Sequence, residues 1–277
     1  MVTIIVPSRQ EIFLNKTILD ILNKAKGEIE VIPVLDRYEP EELVNDPRVH
    51  YIRLTEGSGM QKRHGINLAV KQSQYEHIMV IDAHCIVGDG FDTILERDCQ
   101  DNWVMIPRRL RLDADNWKVA EDGRPPVDYE YWKWRDFLGG ALHGYRWDSR
   151  TLERMNIPID DSLHFQGSCY FMHKDFFNKM GFMHIEGYGG FTQEAEEIDL
   201  TTWMNGGEVK INKNTWYAHL HKGKKWGRMY QFDDKEKKRG DAYSYDNFVN
   251  KNREAFIKLI NKFMPLPNWK EDWVKYL

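Results

Sequence analysis

The sequence predicts an α/β fold built on a mostly parallel sheet with helices on both faces. Three observations point to it. Apolar, β-branched runs alternate with helical periodicity through the first hundred residues. Two of those runs end in an aspartate, Asp36 and Asp82. The connections have the length that right-handed crossovers need. Val2 to Val6 reads as the first strand, broken by Pro7-Ser8-Arg9. Phe13 to Lys24 shows helical spacing through Phe13, Leu14, Thr17, Ile18, Ile21 and Leu22, and Gly27 closes it. Glu30 to Leu35 and Val49 to Leu54 are the next strands. Gly57-Ser58-Gly59 leads into a helix from about Gln61 to Lys71, and His77 to Ile81 is the fourth strand. Phe91 to Arg97 reads as a helix and Trp103 to Arg108 as a strand.

From about Leu110 to Asp160 prolines, tryptophans and charges mix without a period. Strand character returns at Phe165 to Met172, and Lys174 to Met180 reads as a short helix. Glu194 to Met204 is a helix stopped by Gly206-Gly207. Val209 to Ile211 and Thr215 to Leu220 are short strands, and Ala255 to Phe263 is the last helix. One domain spanning 1–277 with an irregular insertion is the simplest organisation. Its parts are a ligand-binding half (1–108), a second half (109–222), and a basic segment with a C-terminal helix (223–277).

The chain has 277 residues, 42% hydrophobic and 30% charged, ordinary for a soluble globular protein. A net charge of −4 argues against a protein that coats nucleic acid with its whole surface, though it leaves room for a local basic patch. No run of about 18 apolar residues suggests a membrane span. The N-terminus reads as a strand, not a signal peptide. Three cysteines, Cys85, Cys99 and Cys169, lack CxxC spacing, which fits free thiols in a reducing cytosol. With 10 Trp, 13 Tyr and 13 Phe the chain is rich in aromatics, many set among charges where they suit stacking on sugars or bases.

The sharpest motif is Asp82-Ala83-His84-Cys85 directly after the apolar run 77–81. A buried strand ending this way delivers a carboxylate and an imidazole to the sheet's C-terminal edge, where ligands bind in open α/β folds. Both are good ligands for first-row metals, and a metal there can hold a diphosphate. The plainer reading is a strand-end aspartate capping the next helix beside an incidental histidine.

In order, these pieces resemble the nucleotide-sugar-binding half of a GT-A glycosyltransferase of the family 2 kind, Rossmann-like in its sheet. Most members carry Asp-x-Asp where this chain has Asp82-x-His84. That variant, with Cys85 and Gly88-x-Gly90-Phe91, is similar to the polypeptide N-acetylgalactosaminyltransferases. So are Phe165-Gln166-Gly167-Ser168, the run Glu194-x-x-Glu197-Ile198 with Trp203 and Gly206-Gly207, and Ala218-His219-Leu220. The resemblance covers roughly 2–105 and 163–222. The layout is also similar to compact phage-encoded family 2-like proteins, some associated with glycosylation of modified DNA bases. It implies a UDP-sugar donor and Mn²⁺ or Mg²⁺ held by Asp82, His84 and His219, with His221 the rival third ligand. It implies that Asp36 meets the uracil-ribose part, beside Pro7, Arg9 and Glu11, and that Arg63 or His64 meets base or phosphates. In the acidic helix, the galactosaminyl-type pattern selects Glu194 and Glu197 as the catalytic pair. The ordinary family 2 pattern selects Glu196, Glu197 and Asp199, and carboxylates at a helix start are also simply stabilising there. Stereochemistry stays open, as do the donor sugar and the oligomeric state.

Between 210 and 240 ten Lys/Arg face three Asp/Glu, and Arg108, Arg109 and Arg111 add a cluster. In this fold the segment after the third metal ligand forms a lid, so Lys222 and Lys225 are expected on the diphosphate. The excess, with Trp132, Trp134, Trp226, Tyr230, Tyr243 and Tyr245 as stacking groups, also suits a polyanionic acceptor, DNA with a hydroxymethylpyrimidine foremost. A glycan, lipid-linked sugar or protein acceptor is the alternative, and a non-catalytic nucleotide-sugar-binding module is a further one. A solvated basic loop is the plain reading.

Overall fold

The computed structural model describes residues 1–57, 59–223, 225–227 and 233–277. Lys224, Arg228 and Tyr230, counted above in the basic segment, lie outside the described residues, as does Ser58. The first half follows the expected alternation. Strand β1 (Val2–Ser8) precedes helix α1 (Leu14–Lys24), β2 (Ile29–Asp36), β3 (Ile52–Leu54), α2 (Lys62–Gln72) and β4 (His77–Ile81). Strand β5 (Cys85–Val87), helix α3 (Phe91–Asp98) and the long β6 (Trp103–Asp113) complete it. β1 pairs in parallel with β2 and β4, and β2 with β3. Successive residues of β4 enter different cores. Ile78 and Val80 join one cluster with Ile66 of α2, and Met79 and Ile81 join another with Ile18 of α1. Burial on both faces explains why these strands read as unbroken apolar runs.

The insertion holds β7 (Lys118–Val119), β8 (Glu130–Trp132), α4 (Trp134–Leu138), β9 (Gly144–Arg146), α5 (Asp148–Glu153) and β10 (Ile159–Asp161). Then come β11 (Cys169–His173), α6 (Lys174–Met180), α7 (Glu194–Met204), β12 (Glu208–His219), α8 (Asp234–Tyr245) and α9 (Arg253–Phe263). The main path of the sheet runs β10-β12-β6-β11-β4-β1-β2-β3. It is mixed: β11 lies antiparallel to β4, while β12 runs parallel to β6. The two short strands expected at 209–220 are one, with an irregularity between Asn212 and Trp216. Helix α8 lies in the segment read from the sequence as a basic lid, where no helix is expected before 255.

The insertion and the C-terminus share a core. Trp132 is fully buried and stacks on Phe256 of α9 at 5.9 Å, and Trp269 Nε1 donates to the Trp132 carbonyl at 2.8 Å. Trp134 packs on Trp269 at 5.1 Å. Neither tryptophan is presented for stacking on a ligand, which corrects that expectation. Among the described residues no helix is long and apolar enough to cross a membrane.

Candidate active site

A cavity of about 570 Å³ opens at the C-terminal edge of β1, β2 and β4. Strand pairing builds its metal-type corner. The Asp82 amide donates to Ser168 O at 2.9 Å, which anchors the end of β4. β5 and β12 run antiparallel with Cys85 opposite His219, and the Leu220 amide donates to His84 O at 3.1 Å. The two imidazoles therefore meet across the pair, with Nε2 atoms 3.1 Å apart. Asp82 Oδ2 lies 3.5 Å from His219 Nε2 and 4.0 Å from His84 Nε2. Glu11 Oε2 sits 3.1 Å from His84 Nδ1 and orients that ring, as carboxylates behind metal-ligating histidines do. Burial pushes His219 down to about 3, so its imidazole is neutral and offers a lone pair. Burial disfavours the charge on Asp82, yet Lys62, His219 and His84 hold its carboxyl far below the usual range. Two imidazoles and an ionised carboxylate converging within 4.8 Å fit a divalent first-row cation. His221 also lines the cavity, its ring 5.0 Å from His219, but its atoms do not join that group.

On the β1–β2 side, Pro7, Arg9, Glu11 and Asp36 all line the cavity. Asp36 is buried. Its Oδ2 accepts from Arg9 Nη1 at 3.1 Å and from the Gln61 amide at 3.0 Å, and its Oδ1 from Arg37 Nε at 2.8 Å. The start of α2 is one residue out of the expected phase. Arg63 is fully buried beneath the cavity, where it donates to Thr192 O and Glu197, and His64 is exposed. Neither lines the cavity; Gln61 and Lys62 do. Gly190 permits this seating, because a Cβ there would lie 1.5 Å from Met60 O. Lys222 reaches the cavity and pairs with Glu11, whereas Lys225 is exposed and pairs with Asp115 at 2.6 Å, outside it.

The acidic helix divides in two. Glu194 and Glu196 line the cavity; Glu197 does not. Both Glu197 oxygens are committed, one to Arg63 and one to His184, whose amide donates at 2.9 Å. Burial opposes its charge, but Arg63 and His184 hold the carboxyl below its ordinary range. Glu194 Oε2 lies 2.6 Å from Lys62 Nζ, and Tyr170 donates to Oε1 at 3.0 Å. Burial raises the Glu194 carboxyl despite Lys62. Burial pushes Glu196 further, up to about 7. Its Oε1 is 3.7 Å from His164 Nε2, while His164 Nδ1 lies 2.5 Å from the wholly buried Asp199.

Several lining residues went unread in the sequence: Lys62, Glu130, His143, His164, Gln193 and Asp241. His143 and Asp241 meet at 3.0 Å from the insertion and from α8, two segments whose sequences carry no clear period. Glu130 pairs with Arg109 at 2.6 Å. Lys62 had one available signal, a cation beside Arg63 in the first turn after a glycine-rich turn.

The description "Glycosyl transferase family 2" matches residues 3–181. Among solved structures the chain is similar to GalNAc-T7 crystallised with UDP, GalNAc and Mn²⁺, at 14% identity and a TM-score of 0.68. That alignment covers 100% of this chain and 54% of the other, so the chain spans about half that protein's length. The likeness shows a shared GT-A fold. S. aureus TarS aligns at 10% identity and a TM-score of 0.48, over 80% of this chain and 37% of that one. No curated protein matches by sequence.

Proposed function

The chain belongs to glycosyl transferase family 2, and on that premise we propose that it moves a sugar from a UDP-sugar to an acceptor hydroxyl with a divalent cation. The observation that carries this reading is a single cavity holding the Asp82–His84–His219 group together with Glu194 and Glu196. Mn²⁺ or Mg²⁺ at that group supplies Lewis acidity to the leaving diphosphate. Asp36, Arg9 and the Gln61 amide form a polar wall suited to uracil and ribose. Lys222, beside Glu11, faces the diphosphate. Glu194, pinned by Lys62 and Tyr170, stands at the reaction centre, and Glu196 takes the acceptor proton. A carboxyl titrating near neutrality is matched to that task.

The acceptor half of the cavity favours a neutral hydroxyl, as on a sugar. Its lining cation Lys237 is already matched by Asp241 at 2.7 Å, and Arg109, behind the wall, by Glu130. A DNA acceptor keeps one supporting observation. Lys235, Lys238 and Arg239 are exposed on α8, the helix that contributes Lys237 and Asp241 to the cavity. Such a substrate would have to present a flipped base, at a cost of a few kcal/mol. The deciding experiment is mass spectrometry of neutral glycans and of hydroxymethylated DNA after incubation with UDP-sugars and Mn²⁺. Release of UDP with no metal dependence would overturn the role of the cation, and no UDP release or sugar transfer with any donor would overturn the catalytic reading.

A further inference from the structure

Asp82 uses its two oxygens differently. Oδ2 faces His219 and His84, while Oδ1 is 3.0 Å from Lys62 Nζ. The same ammonium lies 2.6 Å from Glu194 Oε2 and 3.1 Å from Gly167 O. Its side chain is only 9% exposed, so these contacts form at the cavity floor and not in bulk solvent. Burial works against its charge, and the two carboxylates more than restore it. One lysine thus balances a carboxylate from the end of β4 and another from the start of α7.

We infer that Lys62 is the resident counter-charge of this cleft, a positioning residue that keeps Asp82 and Glu194 together and competes with the divalent cation for the charge of Asp82. The inference rests on the metal reading given above. Two carboxylates that approach one ammonium this closely would repel each other without it, and each would lose a charge-assisted hydrogen bond. A cation arriving beside Oδ2 meets a carboxylate already half neutralised and a positive charge close behind it. Lys62 therefore weakens metal binding while it preserves the order of the metal-free cleft. A residue that only supported the fold would do the second and not the first.

The test is Lys62→Met, with Lys62→Gln as the second variant should the first fail to fold, and Lys62→Arg as the charge-keeping control. Mn²⁺ affinity is measured by calorimetry, and thermal unfolding is followed in EDTA and in saturating Mn²⁺. Removing the charge is expected to tighten Mn²⁺ by about tenfold, the scale of one unit charge at close range. It should also lower the melting temperature in EDTA, with the deficit shrinking in Mn²⁺. Lys62→Arg should keep the wild-type affinity. Unchanged or weaker Mn²⁺ binding in both charge-free variants overturns the inference. Asp82→Ala is measured alongside: if it binds Mn²⁺ like wild type, the metal assignment itself fails, which separates that failure from this one.

Discussion

The guanidinium of Arg63 is paired with the carboxylate of Glu197, both buried, beneath the floor of the cavity. Two residues expected to touch donor and acceptor hold each other instead. They tie α2 to α7, and with them the elements that carry Lys62 and Glu194.

The first prediction follows from that pair. Breaking a buried ion pair strands the remaining charge and costs about 3–5 kcal/mol. Glu197→Gln should lower stability on that scale in urea unfolding, and the folded fraction should retain donor binding. A variant of wild-type stability that has lost turnover would return Glu197 to the chemistry.

A second prediction concerns the metal corner. Asp82→Ala and His219→Ala should each remove the metal-dependent part of UDP affinity, read by calorimetry with Mn²⁺ against EDTA. His221→Ala should keep it, because His221 stands outside the converging group. Loss of metal dependence in His221→Ala with retention in His219→Ala would reverse the choice of ligand.

Much of this site could be read from the chain, for identifiable reasons. Asp82 and His84 end an apolar strand, so their place at the sheet edge follows from the strand alone. Donor-side Pro7, Arg9, Glu11 and Asp36 follow in the same way from β1 and β2. Helix α7 defeats such reading because it is buried on every side, with Glu194, Glu197, Asp199 and Thr202 all enclosed. No polar face distinguishes the cavity carboxylates from the one that binds Arg63. At α2 the difficulty is a single residue of phase after a glycine-rich turn, which exchanged Lys62 for Arg63. Helix α8 hid because Asp234-Lys235-Glu236-Lys237-Lys238-Arg239 has no apolar stripe.

Glu196 gives a pH prediction. Its carboxyl titrates at about 7 because burial disfavours its charge, and a proton acceptor works only when ionised. Transfer should therefore rise with pH through about 7 and fall about tenfold per unit below it. His164, pushed down by burial to about 4, stays neutral across that window and does not shape the profile. Glu196→Gln should lower kcat by about 10²–10⁴-fold and abolish this acidic limb. An unaltered limb in the variant would assign the titration to another group.

Glu194 separates from Glu196 by what its loss leaves behind. Its partners are Lys62 and Tyr170, so Glu194→Gln removes charge beside Asp82 and keeps the shape of the floor. Turnover should fall by about 10²–10⁴-fold with KM for the donor little changed, the signature of an interaction made in the transition state. The acidic limb at about 7 should persist, since Glu196 remains. A rise in donor KM with kcat intact would make Glu194 a donor-binding group.

The last prediction addresses the acceptor. Of the basic segment, Lys225 is matched by Asp115, Lys222 by Glu11 and Lys237 by Asp241, while Lys210 and Lys213 are bound into the β10–β12 side of the fold. The charges still exposed to a large polyanion among the described residues of α8 are Lys235, Lys238 and Arg239. Three phosphate contacts would give a salt slope of about −2.7 in log K against log salt. With a neutral sugar hydroxyl as acceptor, changing all three to Gln should leave transfer and its salt dependence as in wild type. With DNA as acceptor, the same change should flatten the slope and cut transfer at low salt, while donor hydrolysis is kept. The matched cations of the cavity favour the first outcome, and sugar mass appearing on hydroxymethylated DNA, lost in the triple variant, would establish the second.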